Sequence, residues 1–306
     1  MAKNGTLWYD KSRGDPMGCT LCPRRCGAER TIAPGFCGGG ARVRVARAAP
    51  HFWEEPCISG TRGSGAVFFS GCTLKCVFCQ NTEISAGNFG RELTPRQLAD
   101  VFLRLQEQGV HNLNLVTPTH YTDQILEALA LAKPVIPVVM NCGGYERAET
   151  LRRWEGYVDV YLPDLKYYDA ALASRYSAAP DYFEVAAGAI REMHRQQPAL
   201  HWDGELLTKG LIIRHLVLPG ASRDSLRLLD WLDTELPKHA FLLSLMRQFT
   251  PTENCAAYPE LYRRLTTFEY RRAADKAADL GFQGYLQDKS SAKSEYTPAF
   301  DLTGIE

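Results

Sequence analysis

Cys72, Cys76 and Cys79 follow the apolar run Val67-Phe68-Phe69 and the pair Ser70-Gly71, and lead into Gln80-Asn81. Thiolates at this spacing can hold three irons of a 4Fe–4S cluster, leaving the fourth iron without a protein ligand. A cluster that only carries electrons normally takes four cysteines. An iron with an open position binds a small molecule, which points to catalysis. Two other classes compete with an enzyme. A non-catalytic iron–sulfur electron carrier does not need a three-cysteine motif beside a large α/β body. A zinc-ribbon nucleic-acid module leaves Cys72, Cys76 and Cys79 without a task.

A second group, Cys19, Cys22, Cys26 and Cys37, offers four thiolates. Such a set satisfies either a tetrahedral zinc or a second 4Fe–4S cluster, and spacing alone does not choose. Zinc would staple the N-terminal segment to the rest of the chain, whereas a cluster would relay electrons or bind substrate. Pro23 follows Cys22, and Gly35, Gly38, Gly39 and Gly40 surround Cys37, which suits tight loops around a metal. Cys57 and Cys255 have no matching partners and read as structural. Cys142 reads as packing or as a thiol near the substrate.

The elements that must position these residues alternate between strand and helix. Six apolar runs read as buried strands: Ala66–Ser70, Asn112–Val116, Val135–Met140, Val158–Leu162, Leu211–Leu218 and Phe241–Met246. Thr94 caps a helix that Pro95 opens and Gly109 ends, with Leu98, Val101, Phe102 and Leu105 on its apolar face. Further helices are expected at Thr122–Ala132, Arg147–Trp154, Tyr182–Gln196, Ser222–Leu236 and Tyr258–Leu280. Strand–helix alternation implies right-handed crossovers and a parallel sheet. The first strand is followed by cysteines, with no glycine-rich phosphate loop. In such folds chemistry sits at the C-terminal strand ends. Residues 1–62 read as an irregular, metal-pinned extension and residues 63–306 as the α/β body with a C-terminal helix.

Composition bounds the function classes. At 306 residues, 45% hydrophobic and with zero net charge, the chain is expected to fold as one large domain with appendages. No apolar run reaches about 18 residues, so no membrane span is expected. The N-terminal residues lack the apolar core of a signal peptide, and ten cysteines then argue for metal ligation in a reducing cytoplasm. Residues 1–50 carry nine Lys/Arg against three Asp/Glu. That excess reads as a solvated basic face or as a dock for an acidic partner. No aromatic-rich signature accompanies it, so nucleic acid is not an expected partner.

The cysteine motif, with Phe78 just before its third cysteine and the first strand just before its first, resembles the cluster motif of the radical S-adenosylmethionine (SAM) superfamily. The resemblance implies a partial (β/α)6 barrel and an oxygen-sensitive 4Fe–4S cluster. It implies that the open iron chelates the amino and carboxylate groups of SAM. One electron then splits the sulfur–C5′ bond into methionine and a 5′-deoxyadenosyl radical, which abstracts hydrogen from a substrate. A flavodoxin or ferredoxin-type donor would supply the electron.

A closer resemblance, over roughly residues 17–290, is to the pyruvate formate-lyase activating enzyme-like group. It rests on Gly63-Ser64-Gly65, Cys79-Gln80-Asn81, Val116-Thr117-Pro118-Thr119-His120-Tyr121, Leu162-Pro163-Asp164-Leu165-Lys166-Tyr167 and Arg214-His215-Leu216-Val217-Leu218-Pro219-Gly220. It implies a protein glycine as substrate. A small metabolite or an RNA nucleotide is the alternative. Phe78 is implied to pack near the adenine. Asp164 and Lys166, on one face of a strand end, would meet the ribose or ammonium group and the carboxylate of SAM. Activases carry Gly-Gly-Glu after the second strand. Here Thr117-Pro118-Thr119-His120 stands there, so Thr117, Thr119 or His120 would take the amino contact. Asn141 is a further contact to SAM. Arg214 and His215 point to opposite faces, so one of them faces the barrel interior. Gln248 and Thr250 are weaker candidates.

Overall fold

The computed structural model of the chain describes residues 18–288 and 298–305. The first 17 residues of the expected N-terminal extension, and residues 289–297 and 306 of the expected body, lie outside the described residues. The chain runs β1 (Val43–His51), α1 (Pro56–Ser59), β2 (Ser64–Phe69), α2 (Thr82–Ser85), β3 (Arg91–Leu93), α3 (Pro95–Glu107), β4 (Leu113–Val116) and α4 (Thr122–Ala132). It continues through β5 (Val138–Cys142), α5 (Ala148–Arg152), β6 (Val160–Pro163), α6 (Ala170–Ser177), α7 (Tyr182–Gln196), β7 (His201–Asp203) and β8 (Leu206–Leu216). It ends with α8 (Ser222–Glu235), β9 (Leu242–Met246), α9 (Thr267–Asp279) and β10 (Gly284–Leu286).

One sheet in the order β10-β9-β8-β6-β5-β4-β2-β1-β3 organises the molecule. The seven strands from β10 to β2 are mutually parallel. Every residue of β2, β4, β5, β6 and β9 is buried, which is why these strands read as continuous apolar runs. Helices cover the outer face. The Thr94 capping box with Gln97 starts α3, whose Leu98, Val101, Phe102 and Leu105 are buried as the periodicity predicts. The strands curve far enough that side chains from β4, β5 and β8 meet inside, so the architecture is the expected partial barrel.

Three parts of the expected layout change. The N-terminal stretch expected to be irregular contains β1, a nine-residue strand antiparallel to β2. Its signal is the alternation of buried Val43 and Val45 with half-exposed Arg44. The outer edge of β1 is covered by β3 at one end and by residues 302 and 303 further along. Leu302 N–H donates to Ala46 O (3.1 Å), and Ala48 N–H donates to Thr303 O (2.9 Å). The last helix begins at Thr267, well after the expected Tyr258, because Thr266 and Glu269 form a capping box that sets its start. The fifth strand of the alternation, β8, starts at Leu206 because it also forms a hairpin with β7.

Candidate active site

The loop after β2 carries the three-cysteine motif to the C-terminal ends of the strands. Gly71 turns it at φ +89°, and a Cβ there would lie 2.4 Å from Cys37 O. Only glycine permits that approach. Cys72 N–H then donates to Cys37 O at 3.0 Å.

Cys72, Cys76 and Cys79 line one cavity of about 270 Å³ together with Thr117, Asn141, Gly143, Asp164, Lys166 and Arg214. Each sulfur has a polar neighbour. Leu74 N–H donates to Cys72 Sγ (3.4 Å), Ser177 Oγ–H donates to Cys76 Sγ (2.9 Å), and Ser85 Oγ lies 3.3 Å from Cys79 Sγ. Burial, reinforced by Cys76, pushes the Cys72 thiol up to about 12. Burial also raises Cys76, against the pull of Lys166. Thiols such as Cys72 and Cys76 become thiolates in a buried site only when a strongly positive centre compensates them, which is what an iron–sulfur core provides. The donor set therefore fits a 4Fe–4S cluster held by Cys72, Cys76 and Cys79.

Opposite charges are fixed beside the cysteines. Lys166 Nζ donates to Asp164 Oδ2 (2.6 Å), and Arg214 Nε donates to Asp164 Oδ1 (2.8 Å). Arg214 also donates to Asn141 Oδ1 (2.6 Å) and to Glu54 Oε2 (3.3 Å). Glu54 Oε1 accepts from Asn114 (3.0 Å) and Asn141 (3.3 Å). Burial works to raise the Asp164 carboxyl, but Arg214 and Lys166 outweigh it and hold the group below its ordinary value. Burial likewise opposes the charge of Lys166, and Asp164 overcomes it, so the ammonium is held above its ordinary range. Burial raises Glu54, against the nearby Arg214. The geometry supplies a carboxylate, an ammonium and an amide on one wall of the cavity, the groups that a bound amino acid end and a ribose require.

Two glutamates, Glu54 and Glu146, are absent from the sequence-derived candidates. Glu54 follows β1 and enters the barrel from below to meet β4, β5 and β8. Its partners are 60, 87 and 160 residues away, and nothing local in the sequence marks it. Glu146 lies buried behind the cavity wall, where burial pushes its carboxyl up to about 7.

The sequence-derived candidates divide. Phe78 is buried at the cavity, 6.5 Å from the Tyr167 ring and 6.0 Å from that of Phe249. Thr117 lines the cavity at φ +60°, a left-handed conformation at the place where the activase pattern has glycine. Asn141, Asp164, Lys166 and Arg214 line it, as do Cys142, Gln248 and Thr250. Thr119 and His120 do not. Both are buried in a short turn after β4, and His120 Nε2 lies 2.8 Å from Ser70 O. Burial pushes the His120 imidazole down to about 4, so it is neutral, and it packs against Tyr121 (4.2 Å between ring centroids). His215 is also placed away from the cavity. Its Nδ1–H donates to Leu165 O (2.6 Å) and its Nε2 accepts from Ser225 on α8 (2.8 Å), so Arg214 is the member of the pair that faces inward. Alternation along β8 forces that choice.

Comparison with known proteins decides the family. The radical SAM superfamily pattern matches residues 66–232. The chain belongs to the radical SAM superfamily. An uncharacterized protein of Methanocaldococcus jannaschii is 30% identical over 272 residues, which is 85% of this chain and 74% of that one. Among solved structures, Streptococcus suis SuiB bound to S-adenosylmethionine aligns at 14% identity with a TM-score of 0.49, over 71% of this chain and 48% of SuiB. Methylornithine synthase aligns at 14% identity with a TM-score of 0.47, over 70% of this chain and 60% of its own. This chain thus spans about half to three-fifths of the length of those two proteins. Membership of the radical SAM superfamily makes the chain an enzyme of SAM-dependent radical chemistry with a 4Fe–4S cluster. Among the described residues no helix is long and apolar enough to cross a membrane.

Proposed function

We propose that this protein cleaves SAM reductively at the Cys72–Cys79 site and uses the resulting 5′-deoxyadenosyl radical to abstract hydrogen from a protein glycine. The observation that carries the first half is the single cavity shared by three thiols and the Asp164–Lys166–Arg214 charges. When bound, the cluster supplies the electron that splits the sulfur–C5′ bond. The protein does the rest. Lys166 takes the carboxylate of SAM and Asn141 a polar edge of the same molecule. Asp164 accepts from the ribose hydroxyls. Phe78 and Phe249 offer an apolar wall for the adenine. Arg214, tied to Asp164, Asn141 and Glu54, keeps the carboxylates and amides aimed at the cavity. Burial of the lining excludes water from a radical that reacts with whatever is nearest.

The glycine substrate rests on the resemblance to activating enzymes. A small metabolite is the second reading, and the observation favouring it is the limited cavity, about 270 Å³ with Glu54 closing its floor. An oxygen-sensitive cytoplasmic enzyme served by a flavodoxin or ferredoxin-type donor completes the proposal. The test is anaerobic reconstitution followed by reduction with dithionite in the presence of SAM. Methionine and 5′-deoxyadenosine in equal amounts support the reading. A reducible iron–sulfur protein that leaves SAM intact, with and without extract as a source of substrate, contradicts it. A glycyl-radical signal on an added protein then separates the peptide reading from the metabolite reading.

A further inference from the structure

The second cysteine group is left without a role by the SAM site. Cys19, Cys22, Cys26 and Cys37 lie on two turns held by Cys19 N–H to Ala28 O and Gly27 N–H to Cys19 O, both 3.1 Å. All four are free thiols. They converge. A Cβ built on Gly35 would lie 3.3 Å from Cys26 Sγ and 3.6 Å from Cys37 Sγ, so these two sulfurs flank one small space. Cys19 and Cys26 both act electrostatically on Cys37, and Cys19 and Cys37 on Cys22. Arg30 and Gly39 N–H both donate to Cys37 Sγ at 3.4 Å, the kind of contact that tunes a metal-bound thiolate.

Among the described residues, no group of three or more His, Cys, Asp or Glu side chains is placed to hold a metal ion. That applies to Cys72, Cys76 and Cys79 as well, although the family assigns them a cluster. The outer set shares with the inner one free thiols whose sulfurs accept hydrogen bonds from N–H or O–H donors.

The two sets also touch. Cys37 O accepts from Cys72 N–H, and Arg24 Nε donates to Thr73 O at 2.9 Å. On the far side Cys26 is exposed beside exposed Arg25. We propose that Cys19, Cys22, Cys26 and Cys37 hold a second 4Fe–4S cluster, which accepts one electron from a reduced, acidic protein donor and passes it to the Cys72–Cys79 site. The donor is oxidised by one electron, the outer cluster returns to its starting state, and the electron ends in the broken sulfur–C5′ bond of SAM. The relay rests on the SAM-cleavage reading, whereas the second cluster does not.

The test begins with the full chain and a C72A/C76A/C79A variant, each reconstituted anaerobically and analysed for iron, sulfide and zinc. About eight irons in the full chain and about four in the variant are expected, the latter with a reducible paramagnetic signal. Zinc in place of iron in that variant, or no metal at all, overturns the second cluster. For the relay, C19S/C22S/C26S/C37S protein with an unchanged circular dichroism spectrum is assayed with reduced flavodoxin and with dithionite. The flavodoxin-driven rate of 5′-deoxyadenosine formation is expected to fall to background relative to the dithionite-driven rate. An unchanged ratio overturns the relay. If the full chain itself makes no 5′-deoxyadenosine, the SAM reading fails while the iron count still decides the outer site.

Discussion

The inner and outer cysteine sets are built from the same side chain and touch through one backbone hydrogen bond, yet they face different surroundings. Cys72, Cys76 and Cys79 open onto a cavity walled by Asp164, Lys166 and Arg214. None of the four outer cysteines lines that cavity. They meet backbone turns, the Arg30 guanidinium and each other. Three thiolates beside fixed charges leave a place for a guest with charges of its own. The four outer cysteines, of which Cys22 and Cys37 are buried and Cys26 is exposed, have no such cavity beside them as the one the inner three share. On the proposed reading, ligand number and local polarity together separate a site that binds a guest from one whose metal positions are all taken by the protein.

The most severe way to break this contrast is to remove an inner ligand. Cys76→Ala is expected to bring 5′-deoxyadenosine formation to background with an unchanged far-UV circular dichroism spectrum, and SAM cleavage persisting in that variant would place the chemistry elsewhere. Next is the charge wall. Asp164→Ala strands Lys166 and Arg214, whose side chains are 16% and 15% exposed. A loss of about 3–5 kcal/mol in urea unfolding is expected, as for other broken buried pairs. Calorimetry should show weakened SAM binding, and an unchanged unfolding midpoint would show the network to be dispensable.

Glu146 sharpens the comparison because it lies within electrostatic reach both of Cys22 in the outer set and of Cys142 on the cavity wall. Its folded value of about 7 lies above that of an unfolded glutamate, so the stability it contributes is complete in acid. That contribution is lost as pH rises from about 4.3 through 7, on the order of 3 kcal/mol in all. Urea midpoints at pH 5 and pH 8 should therefore differ less in Glu146→Gln than in the unaltered protein. Equal differences would mean that Glu146 ionises freely.

Arg24 ties the outer loop to the inner one through Thr73 O and Ser177 O, with its guanidinium 4.5 Å from the Phe36 ring centroid. Arg24→Ala is expected to cost about 1.5–3 kcal/mol and to expose the segment around Cys22 to limited proteolysis. The smallest effect is expected at Thr117, where glycine should relieve the left-handed backbone and stabilise by about 1 kcal/mol. A loss of stability there would show that the Thr117 side chain holds the turn.

The sequence made the inner site legible because its information is local. The cysteine spacing, Phe78 and the Asp164–Lys166 alternation each fall within a few residues of one strand end. Helix caps were legible for the same reason: Thr94-Pro95 set the start of α3, and Thr122–Ala132 and Tyr182–Gln196 coincide with α4 and α7. What escaped depends on distance along the chain. Glu54 acquires its role from Arg214, and His120 loses the expected contact because its ring turns to Ser70 O and packs closely over Gly39. Alternation puts Arg214 and His215 on opposite faces, and the pairing of Asp164 with Arg214 across the sheet, 50 residues apart, settles that Arg214 is the inner one.

The edge of β1 has a consequence for synthesis. Arg47 on that strand pairs with Asp301, 254 residues later, at 2.8 Å, next to the backbone bonds that residues 302 and 303 make to the same edge. A ribosome adding about 5–20 residues per second needs roughly ten to fifty seconds to cross that interval. For that time one of the earliest strands made has part of its hydrogen-bonding edge uncovered. The nascent chain is then most open to mispairing and to holding chaperones.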